Sequence, residues 1–238
     1  MSAASPQTSW LPQGTVYGML MNFADEHAAL AAQMQEPPYK AAPQAPVLFI
    51  KTANTFSPHG SAIALPFGAH EVQIKTTVGL IFQSNKSVVQ AFTAQSAIKY
   101  VANVVLISDL TLPHASFYRP PVKTKCIDGF LCVAPAPHSA PPLAEIDKLR
   151  ITVTINGKPV QTIDMAQMVR NCEKLVADVG EFIDLQTGDV LMVGSPFDAP
   201  LARAGDVVEI SAPGYATLRH SVVANSDVRS EGHNEVHR

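Results

Sequence analysis

The amino-acid sequence predicts a mainly β (α+β) domain with a few short helices. The chain has 19 prolines in 238 residues, and proline interrupts helices while it fits the loops between short strands. Runs of β-branched and apolar residues lie between the prolines and are long enough for strands. Two of these runs are separated by Asn156-Gly157, the dipeptide that a tight type I′ hairpin turn favours.

The predicted strands follow the apolar runs in chain order. They cover residues 47–51, 72–82, 101–108, 149–155, 190–193 and 207–210. In the run 72–82, alternation of side chains between two faces gives one mostly apolar face. The opposite face of this run carries a polar row, which consists of Gln73, Lys75 and Thr77.

Two helices are predicted. An alanine-rich segment, residues 23–35, precedes Pro37-Pro38, which would end a helix. A second helix is predicted to start near Asp164, whose carboxylate would cap the first turn while Gln167 completes a pair resembling a capping box. The apolar residues that follow have helical spacing: Met168, Cys172, Leu175, Val176 and Val179.

Composition limits the classes of function. The formal net charge of −3 and the pI near 6.2 give no overall attraction to nucleic acid or to anionic membranes. Charged residues make up 16% of the chain, where about 25% is typical, so we expect a partner subunit to cover part of the surface. Three cysteines without a Cys-x-x-Cys pair, and no apparent signal peptide, predict a cytoplasmic protein.

The predicted organisation is one domain with two irregular ends. Residues 1–13 are expected to form a flexible N-terminus, residues 14–225 the folded domain, and residues 226–238 a disordered tail. No internal repeat is apparent.

The segment SFYRPPVKTKCIDGF, which starts at Ser116, is the strongest candidate for a ligand site. It places Tyr118, Arg119, Lys123 and Lys125 within ten residues, between prolines and an Asp-Gly turn. Such a loop can direct several cationic groups toward one anionic small molecule. Alternatively, these cations form a solvated rim or pair with acidic residues of the fold such as Asp109 and Asp128.

This segment, together with GDVLMVGSP at residues 188–196, resembles the fumarylacetoacetate hydrolase family over about residues 14–223. The resemblance is greatest to its isomerase/decarboxylase branch from 4-hydroxyphenylacetate (homoprotocatechuate) degradation. It implies the mixed β-sandwich/β-roll fold of the family's C-terminal domain, a dimer, and Mg or Mn as the family's metal. It also implies isomerisation of 2-hydroxyhepta-2,4-diene-1,7-dioate and decarboxylation of 5-oxopent-3-ene-1,2,5-tricarboxylate.

The metal ligands that the resemblance implies are replaced in this chain. The family's Glu-x-Glu pair falls on Lys75 and Thr77, and its third ligand, an Asp, falls on Val104, while Asp109 matches a later Asp. Mg and Mn need anionic oxygen donors, so no metal is expected in this chain. A lysine ammonium at position 75 could instead act as the electrophile that stabilises an enolate.

The other catalytic and binding residues are assigned through the same resemblance. The family's acid/base motif aligns with NFADEH at residues 22–27, which makes His27 a catalytic candidate although it stands one position late. The alternative is that Glu26 and His27 are both exposed helix residues. Lys125 is the remaining catalytic candidate beside Lys75, and the substrate-binding candidates are Lys51, Tyr118, Arg119, Lys123 and Ser195.

Three functions remain open at this stage. The chain could be an isomerase/decarboxylase subunit for a small carboxylated keto or enol acid, as a homodimer or as a heterodimer with a metal-bearing paralogue. It could be the catalytically degenerate, metal-free partner in such a heterodimer. It could also be an anion-binding module of the same fold.

Overall fold

The computed structural model describes residues 9–37, 40–83, 98–114 and 121–225. The predicted tail (226–238) and most of the predicted flexible N-terminus (1–8) lie outside these residues. In the part of the chain that is described, no helix is both long enough and apolar enough to cross a membrane.

The described residues form fourteen strands and four short helices, so the predicted mainly β class is confirmed. The strands are β1 (Val16–Leu20), β2 (Val47–Lys51), β3 (Phe56–Ser57), β4 (Ala62–Ala64), β5 (Val72–Phe82), β6 (Val101–Thr111), β7 (Leu131–Val133), β8 (His138–Ser139), β9 (Arg150–Ile155), β10 (Lys158–Asp164), β11 (Val190–Met192), β12 (Leu201–Ala202), β13 (Val207–Ser211) and β14 (Leu218–Val223). The helices are α1 (Ala24–Gln35), α2 (Val122–Lys125), α3 (Leu143–Ile146) and α4 (Cys172–Gly180).

Two sheets pack against each other. The larger has the order β2-β1-β11-β5-β6-β7-β3, with β12 paired to β5 and β8 paired to β6, and the smaller has the order β10-β9-β13-β14-β4. Strands β13 and β14 of the smaller sheet contact β6 of the larger. The core lies between these sheets, and a buried hydrogen bond of 3.0 Å crosses it from Ser108 Oγ on β6 to His220 Nε2 on β14.

The long strand β5 has the alternation that its sequence predicts. Val72, Ile74 and Val78 are fully buried on one face, while Gln73 and Lys75 on the other face are partly exposed. β5 pairs antiparallel with β6 over almost its whole length and with β11 on its other side. It is therefore a central strand, and its polar row is held in a fixed register against β6.

The predicted hairpin is confirmed. Asn156 and Gly157 both have positive φ, 52° and 74°, as the two central residues of a type I′ turn require. They connect β9 to β10, which pair antiparallel from Ile155 and Lys158 onward. The Asn156 carboxamide also donates to Asp206 Oδ1 at 2.8 Å and accepts from the Val207 amide at 2.9 Å, which joins the turn to β13.

The predicted helix at residues 23–35 is confirmed as α1, whereas the predicted start of the second helix is wrong. Asp164 does cap a turn by accepting from the Ala166 amide, but that turn is a short 3-10 turn, Met165–Gln167. Met168 then becomes extended and forms a β-bridge with Phe23, which stops the helix from continuing. Helix α4 begins at Cys172, with Asn171 as its N-cap.

Strand β1 is absent from the sequence prediction because Gly18 interrupts its apolar run. The fold explains this glycine, since a Cβ at position 18 would lie 2.2 Å from the Phe49 ring of β2. The close approach of β1 and β2 therefore requires that residue 18 has no side chain. The Phe49 ring that occupies this space lies about thirty residues further along the chain.

The buried His220 predicts how the stability of the fold depends on pH. Burial lowers the pKa of His220 from 6.5 to about 4. Between these values the unfolded chain binds a proton that the folded chain does not, so stability is expected to decrease as pH falls from 6.5 to 4, by up to about 3 kcal/mol for this group. Urea unfolding at a series of pH values measures this.

The variant His220→Gln should show a smaller loss of stability over that pH range than the parent protein. The same change at exposed His70 is the control and should leave the pH dependence of the parent. Parallel pH curves for the parent and His220→Gln would contradict the assignment.

Candidate active site

A cavity of about 340 Å³ opens at one end of the larger sheet. Strands β1 and β11 are parallel, so the C-terminal ends of both strands lie there, and α1 starts just beyond β1. Because β5 runs antiparallel to β11, the first half of β5 reaches the same end. β6 returns antiparallel to β5 in a register that sets Asp109 opposite Lys75. The strand directions thus bring acidic and basic residues that are distant in sequence to one place.

The cavity wall combines apolar side chains with polar side chains from α1, β5, β6, α2 and the loops after β6 and β11. Its lining consists of Met19, Leu20, Glu26, Leu30, Gln33, Phe49, Gln73, Lys75, Thr77, Asp109, Thr111, His114, Lys125, Met192, Gly194, Ser195, Phe197, Asp198, Ala199 and Leu201.

Asp109 lies at the inner end of the cavity between two buried lysines. Its Oδ1 atom is 2.9 Å from Lys51 Nζ, and its Oδ2 atom is 2.8 Å from Lys125 Nζ. Lys51 Nζ also donates to the carbonyl oxygens of Lys125 and Phe130, and Lys125 Nζ donates to Thr111 Oγ1 at 2.7 Å. Both lysines are thus hydrogen-bonded as buried cations must be.

The charges of this cluster affect one another. Burial would raise the pKa of Asp109, but the ammonium groups of Lys125 and Lys51 hold it below its usual range. Burial lowers the pKa of Lys51, and the Asp109 carboxylate opposes that effect. The cluster is therefore a buried carboxylate with two cations, and it carries net positive charge toward the cavity.

Lys75 on β5 also lines the cavity, but its ammonium group is held by backbone carbonyl groups and not by a carboxylate of the described residues. Its Nζ atom donates to the carbonyl oxygens of Pro196 and Phe197, at 2.8 Å and 2.7 Å, in the loop after β11. The ring centroid of Phe197 lies 5.8 Å from this nitrogen. Burial lowers the pKa of Lys75, Glu26 opposes this effect, and Lys125 adds to it.

Glu26 is an acidic group of the cavity lining that comes from α1. It lies in the first turn of α1, is buried, and accepts a hydrogen bond of 2.7 Å from the Met21 amide through Oε2. Burial raises its pKa, while Lys75 and the Met21 amide oppose that rise. Its neighbour Asp25 points elsewhere, because its Oδ2 atom accepts from the Phe197 amide at 3.0 Å and so fixes the 196–197 loop.

Asn22 holds the elements around Glu26 together. Its Nδ2 atom donates to the carbonyl oxygens of Val193 and Arg170, and its Oδ1 atom accepts from the Arg170 amide. The side chain is fully buried, and a Cβ at Gly194 would lie 3.0 Å from Asn22 Cβ. Asn22 therefore joins the end of β1, the end of β11 and the approach to α4 at the edge of the site.

The cavity lining includes four residues at positions that the family resemblance assigned to the site: Lys75, Thr77, Lys125 and Ser195. Lys125 also pairs with Asp109, as the alternative interpretation of its loop expected. Tyr118 and Arg119 lie outside the described residues.

The structure places the other predicted residues away from the lining. Lys51 is buried behind Asp109, Lys123 is exposed on α2, and Val104 is fully buried in the core of β6. His27 is half-buried on α1 and does not line the cavity, whereas the preceding residue Glu26 does. The alternative that Glu26 and His27 are both exposed helix residues is wrong for Glu26, which is buried.

Sequence reasoning gave too little importance to Glu26, Asp109 and Thr111. The signal for Asp109 and Thr111 was the two-residue period of β6, which puts both on one face, opposite Lys75 and Gln73 across the β5–β6 pair. The register of β5 against β6 was needed to recognise that Asp109 lies opposite Lys75. The position of Glu26 depends on how α1 packs over the sheet end, for which the sequence holds no local signal.

The donors of the cavity do not fit a Mg or Mn ion. Both carboxylate oxygens of Asp109 are bonded to ammonium groups, and one oxygen of Glu26 is bonded to an amide. The ammonium of Lys75 lines the same space and would repel a dication. Among the described residues there is no group of three or more His, Cys, Asp or Glu side chains that could hold a metal ion.

Comparison with known proteins relates this site to one family. Residues 15–223 match the family model for the C-terminal part of fumarylacetoacetate (FAA) hydrolase. The chain is 35% identical over 215 residues to the 4-hydroxyphenylacetate degradation bifunctional isomerase/decarboxylase of Salmonella dublin, across 90% of this chain and 48% of that protein. It is 32% identical over 216 residues to the homoprotocatechuate catabolism bifunctional isomerase/decarboxylase of Escherichia coli, across 91% of this chain and 49% of that protein. The chain spans about half the length of these relatives.

Solved structures show the same fold. A fumarylacetoacetate hydrolase family protein from Yersinia pestis superposes with a TM-score of 0.74 at 20% identity, covering 90% of this chain and 94% of that chain. The fumarylpyruvate hydrolase of Pseudomonas aeruginosa, solved in complex with Mn²⁺ and pyruvate, superposes with a TM-score of 0.73 at 16% identity, covering 94% of this chain and 100% of that chain.

The buried cluster predicts that Asp109 is needed for stability. In Asp109→Asn the ammonium groups of Lys51 and Lys125 lose their shared counter-charge while they stay buried. The free energy of unfolding should therefore fall by about 3–5 kcal/mol. Denaturant unfolding measures this change. The control is Glu145→Gln, which removes an exposed carboxylate from Lys148 and should cost less than about 1 kcal/mol. Equal effects of the two substitutions would contradict the structural role of Asp109.

The donor set also predicts that this chain has no affinity of its own for Mg²⁺ or Mn²⁺. Titration of the purified chain with MnCl₂ in a calorimeter should give no saturable heat, because Lys75 and the Asp109 cluster already place cations in the cavity. The double substitution Lys75→Glu and Thr77→Glu adds two carboxylates to the same strand face, and it should increase Mn²⁺ binding. Stoichiometric Mn²⁺ binding by the unmodified chain would refute this prediction.

Proposed function

Because this chain belongs to the fumarylacetoacetate hydrolase family, we propose that it acts on a small carboxylated keto or enol acid in the cavity that Lys75, Lys125 and Glu26 line. The reaction is the isomerisation of 2-hydroxyhepta-2,4-diene-1,7-dioate, or the decarboxylation of 5-oxopent-3-ene-1,2,5-tricarboxylate, in cytoplasmic aromatic catabolism. The main support is one observation: Lys75, Lys125 and the buried carboxyl group of Glu26 line the same cavity of about 340 Å³.

The cations suit the carboxylates of such a substrate. Lys125 Nζ has used two hydrogen-bond donors, on Asp109 and Thr111, and an ammonium has three. The third donor is available for an anionic oxygen in the cavity. Phe49, whose ring centroid is 4.5 Å from Lys125 Nζ, keeps water from one side of this lysine and strengthens its interaction with an anion.

Glu26 and Lys75 have different roles in the proposed reaction. Isomerisation and decarboxylation at a carbon conjugated with an oxo group both pass through an enolate, which a cationic nitrogen stabilises. Lys75 is the group for that role. Glu26 takes and returns the proton on carbon, since burial raises its pKa toward the range in which a carboxyl group works well as both acid and base.

The substrate-binding role of the 118–123 segment belongs to the same proposal. Arg119 and Tyr118 would bind the far carboxylate of a dicarboxylic acid, because α2 and Lys125 follow them directly along the chain. Lys123, exposed on α2, would add positive charge at the entrance. Ser195 lines the cavity and offers a hydroxyl group to the substrate.

A second candidate function is a metal-free subunit that supports a metal-bearing paralogue. It is favoured by the way both oxygens of Asp109 are bonded to lysines. A homodimer suits the first function and a heterodimer suits the second. Turnover by the chain alone, compared with turnover after the paralogue is added, distinguishes them.

The proton-transfer role of Glu26 predicts a rate effect. Glu26→Gln keeps the shape of the side chain but removes the proton acceptor, so the rate should fall by about 10²–10⁴. The loss of dienoate absorbance measures the rate. Glu36→Gln, an equivalent change at an exposed position just beyond α1, is the control and should keep the parent rate. An unchanged rate in Glu26→Gln would remove Glu26 from the mechanism.

A further inference from the structure

Lys75 differs from the other two lysines of the site in its partners. Lys51 and Lys125 are both paired with Asp109. In contrast, no ion pair within 4.0 Å joins Lys75 Nζ to a carboxylate of the described residues, and its two hydrogen bonds go to peptide carbonyl oxygens of the 196–197 loop. Lys75 is therefore held in position by neutral acceptors.

Neutral acceptors can hold an amine as well as an ammonium. A neutral lysine amine has two N–H donors and one lone pair, and the carbonyl groups of Pro196 and Phe197 accept two hydrogen bonds. The nitrogen can lose a proton without leaving a partner unsatisfied, and its lone pair then occupies the remaining direction. For Lys125 the same loss would break an ion pair with a buried carboxylate.

The surroundings favour the neutral amine further. Burial in this partly apolar cavity lowers the pKa of Lys75, and the nearby positive charge of Lys125 lowers it more. Glu26, whose carboxylate opposes this effect, has itself a raised pKa because it is buried. Both shifts favour a neutral Lys75 and a protonated Glu26 relative to the ordinary pKa values of these groups. Desolvation next to another cation is a known way to make a lysine nucleophilic.

We infer that Lys75 is a covalent catalyst, and that it forms a protonated imine with the oxo carbon of a 2-oxo acid bound in the cavity. This inference rests on the proposed function, which requires an oxo acid in the cavity and a cationic electrophile at Lys75. An iminium nitrogen withdraws electrons from the neighbouring carbon more strongly than an ammonium that only donates a hydrogen bond. It would supply the electron sink in a cavity whose donors do not fit a dication.

The steps balance without a further reagent. The Lys75 nitrogen bonds to the oxo carbon, and the oxo oxygen departs as water with two hydrogens from the ammonium, so the iminium keeps one positive charge. Glu26 then accepts a proton from the adjacent carbon, or CO₂ leaves from the carbon at the far end of a C=C bond that is conjugated with the iminium. In either case the electron pair enters the conjugated system and forms a neutral enamine. Protonation of the enamine carbon and addition of water release the product and restore Lys75.

Reductive trapping tests the inference directly. The full chain is incubated with pyruvate or 2-oxoadipate and sodium borohydride, which reduces an imine to a stable secondary amine. Intact-protein mass spectrometry should then show a single reduced adduct, and tandem mass spectrometry of the digest should locate it on Lys75. Adipate, which has no oxo group, should give none.

Two variants complete the test. Lys75→Arg keeps the positive charge but cannot form an imine, so it should lose the adduct while it still binds 2-oxoadipate in calorimetry. Lys148→Arg, at an exposed surface lysine, should keep the adduct of the parent. If Lys75→Arg does not fold, the location of the adduct in the parent protein still decides the question.

The outcomes separate this inference from the proposed function. Binding of 2-oxoadipate without an adduct on Lys75 would overturn the covalent role and leave the proposed function standing. The absence of any binding of 2-oxoadipate would contradict the proposed function itself. An adduct spread over several surface lysines would also overturn the inference, because it would show reactivity that does not depend on the cavity.

Discussion

The arrangement of this site depends on the buried carboxylate of Asp109. It joins Lys51 at the end of β2 to Lys125 at the end of α2, and both are also bonded to other groups around it. A buried charge is tolerated only when its partners are fixed, so this one carboxylate determines where two strands and a helix meet. Lys51 extends the effect, because its bond to the Phe130 carbonyl ties the segment after α2 to the sheet.

This constraint also determines the chemistry that is available. Because Asp109 is paired with Lys51 and Lys125, Glu26 is the buried carboxyl group of the lining that is left for the proposed proton transfer. Lys75 and Lys125 are the lysine side chains of the same lining. In the proposed function, this set of charges favours organic anions over metal cations. The chain thus keeps the family's fold with a lysine, Lys75, at a position where the resemblance implies a metal ligand. In the proposed reaction at an oxo carbon, Lys75 is the essential group.

The loop after β11 connects stability with function. Its backbone accepts two hydrogen bonds from Lys75, and its Phe197 amide donates to Asp25 at the start of α1. The loop therefore holds the nucleophile candidate on one side and the helix that carries Glu26 on the other. A change in the loop would move both groups together, and the distance between the proposed electrophile and the proposed base depends on it.

The sequence by itself determined the features that follow from local patterns. The strand at β5, the Asn156-Gly157 hairpin and α1 could be predicted because alternation, turn propensity and helix-breaking prolines act within about ten residues. Lys75, Lys125 and Ser195 were found through a resemblance of short segments. Only the tertiary structure decided which groups meet. The β5–β6 register sets Asp109 opposite Lys75, the packing of α1 puts Glu26 rather than His27 in the cavity, and the bridge between Phe23 and Met168 ends the predicted helix. These contacts join residues far apart in the chain, and their energies come from burial and charge pairing that exist only once the chain has folded.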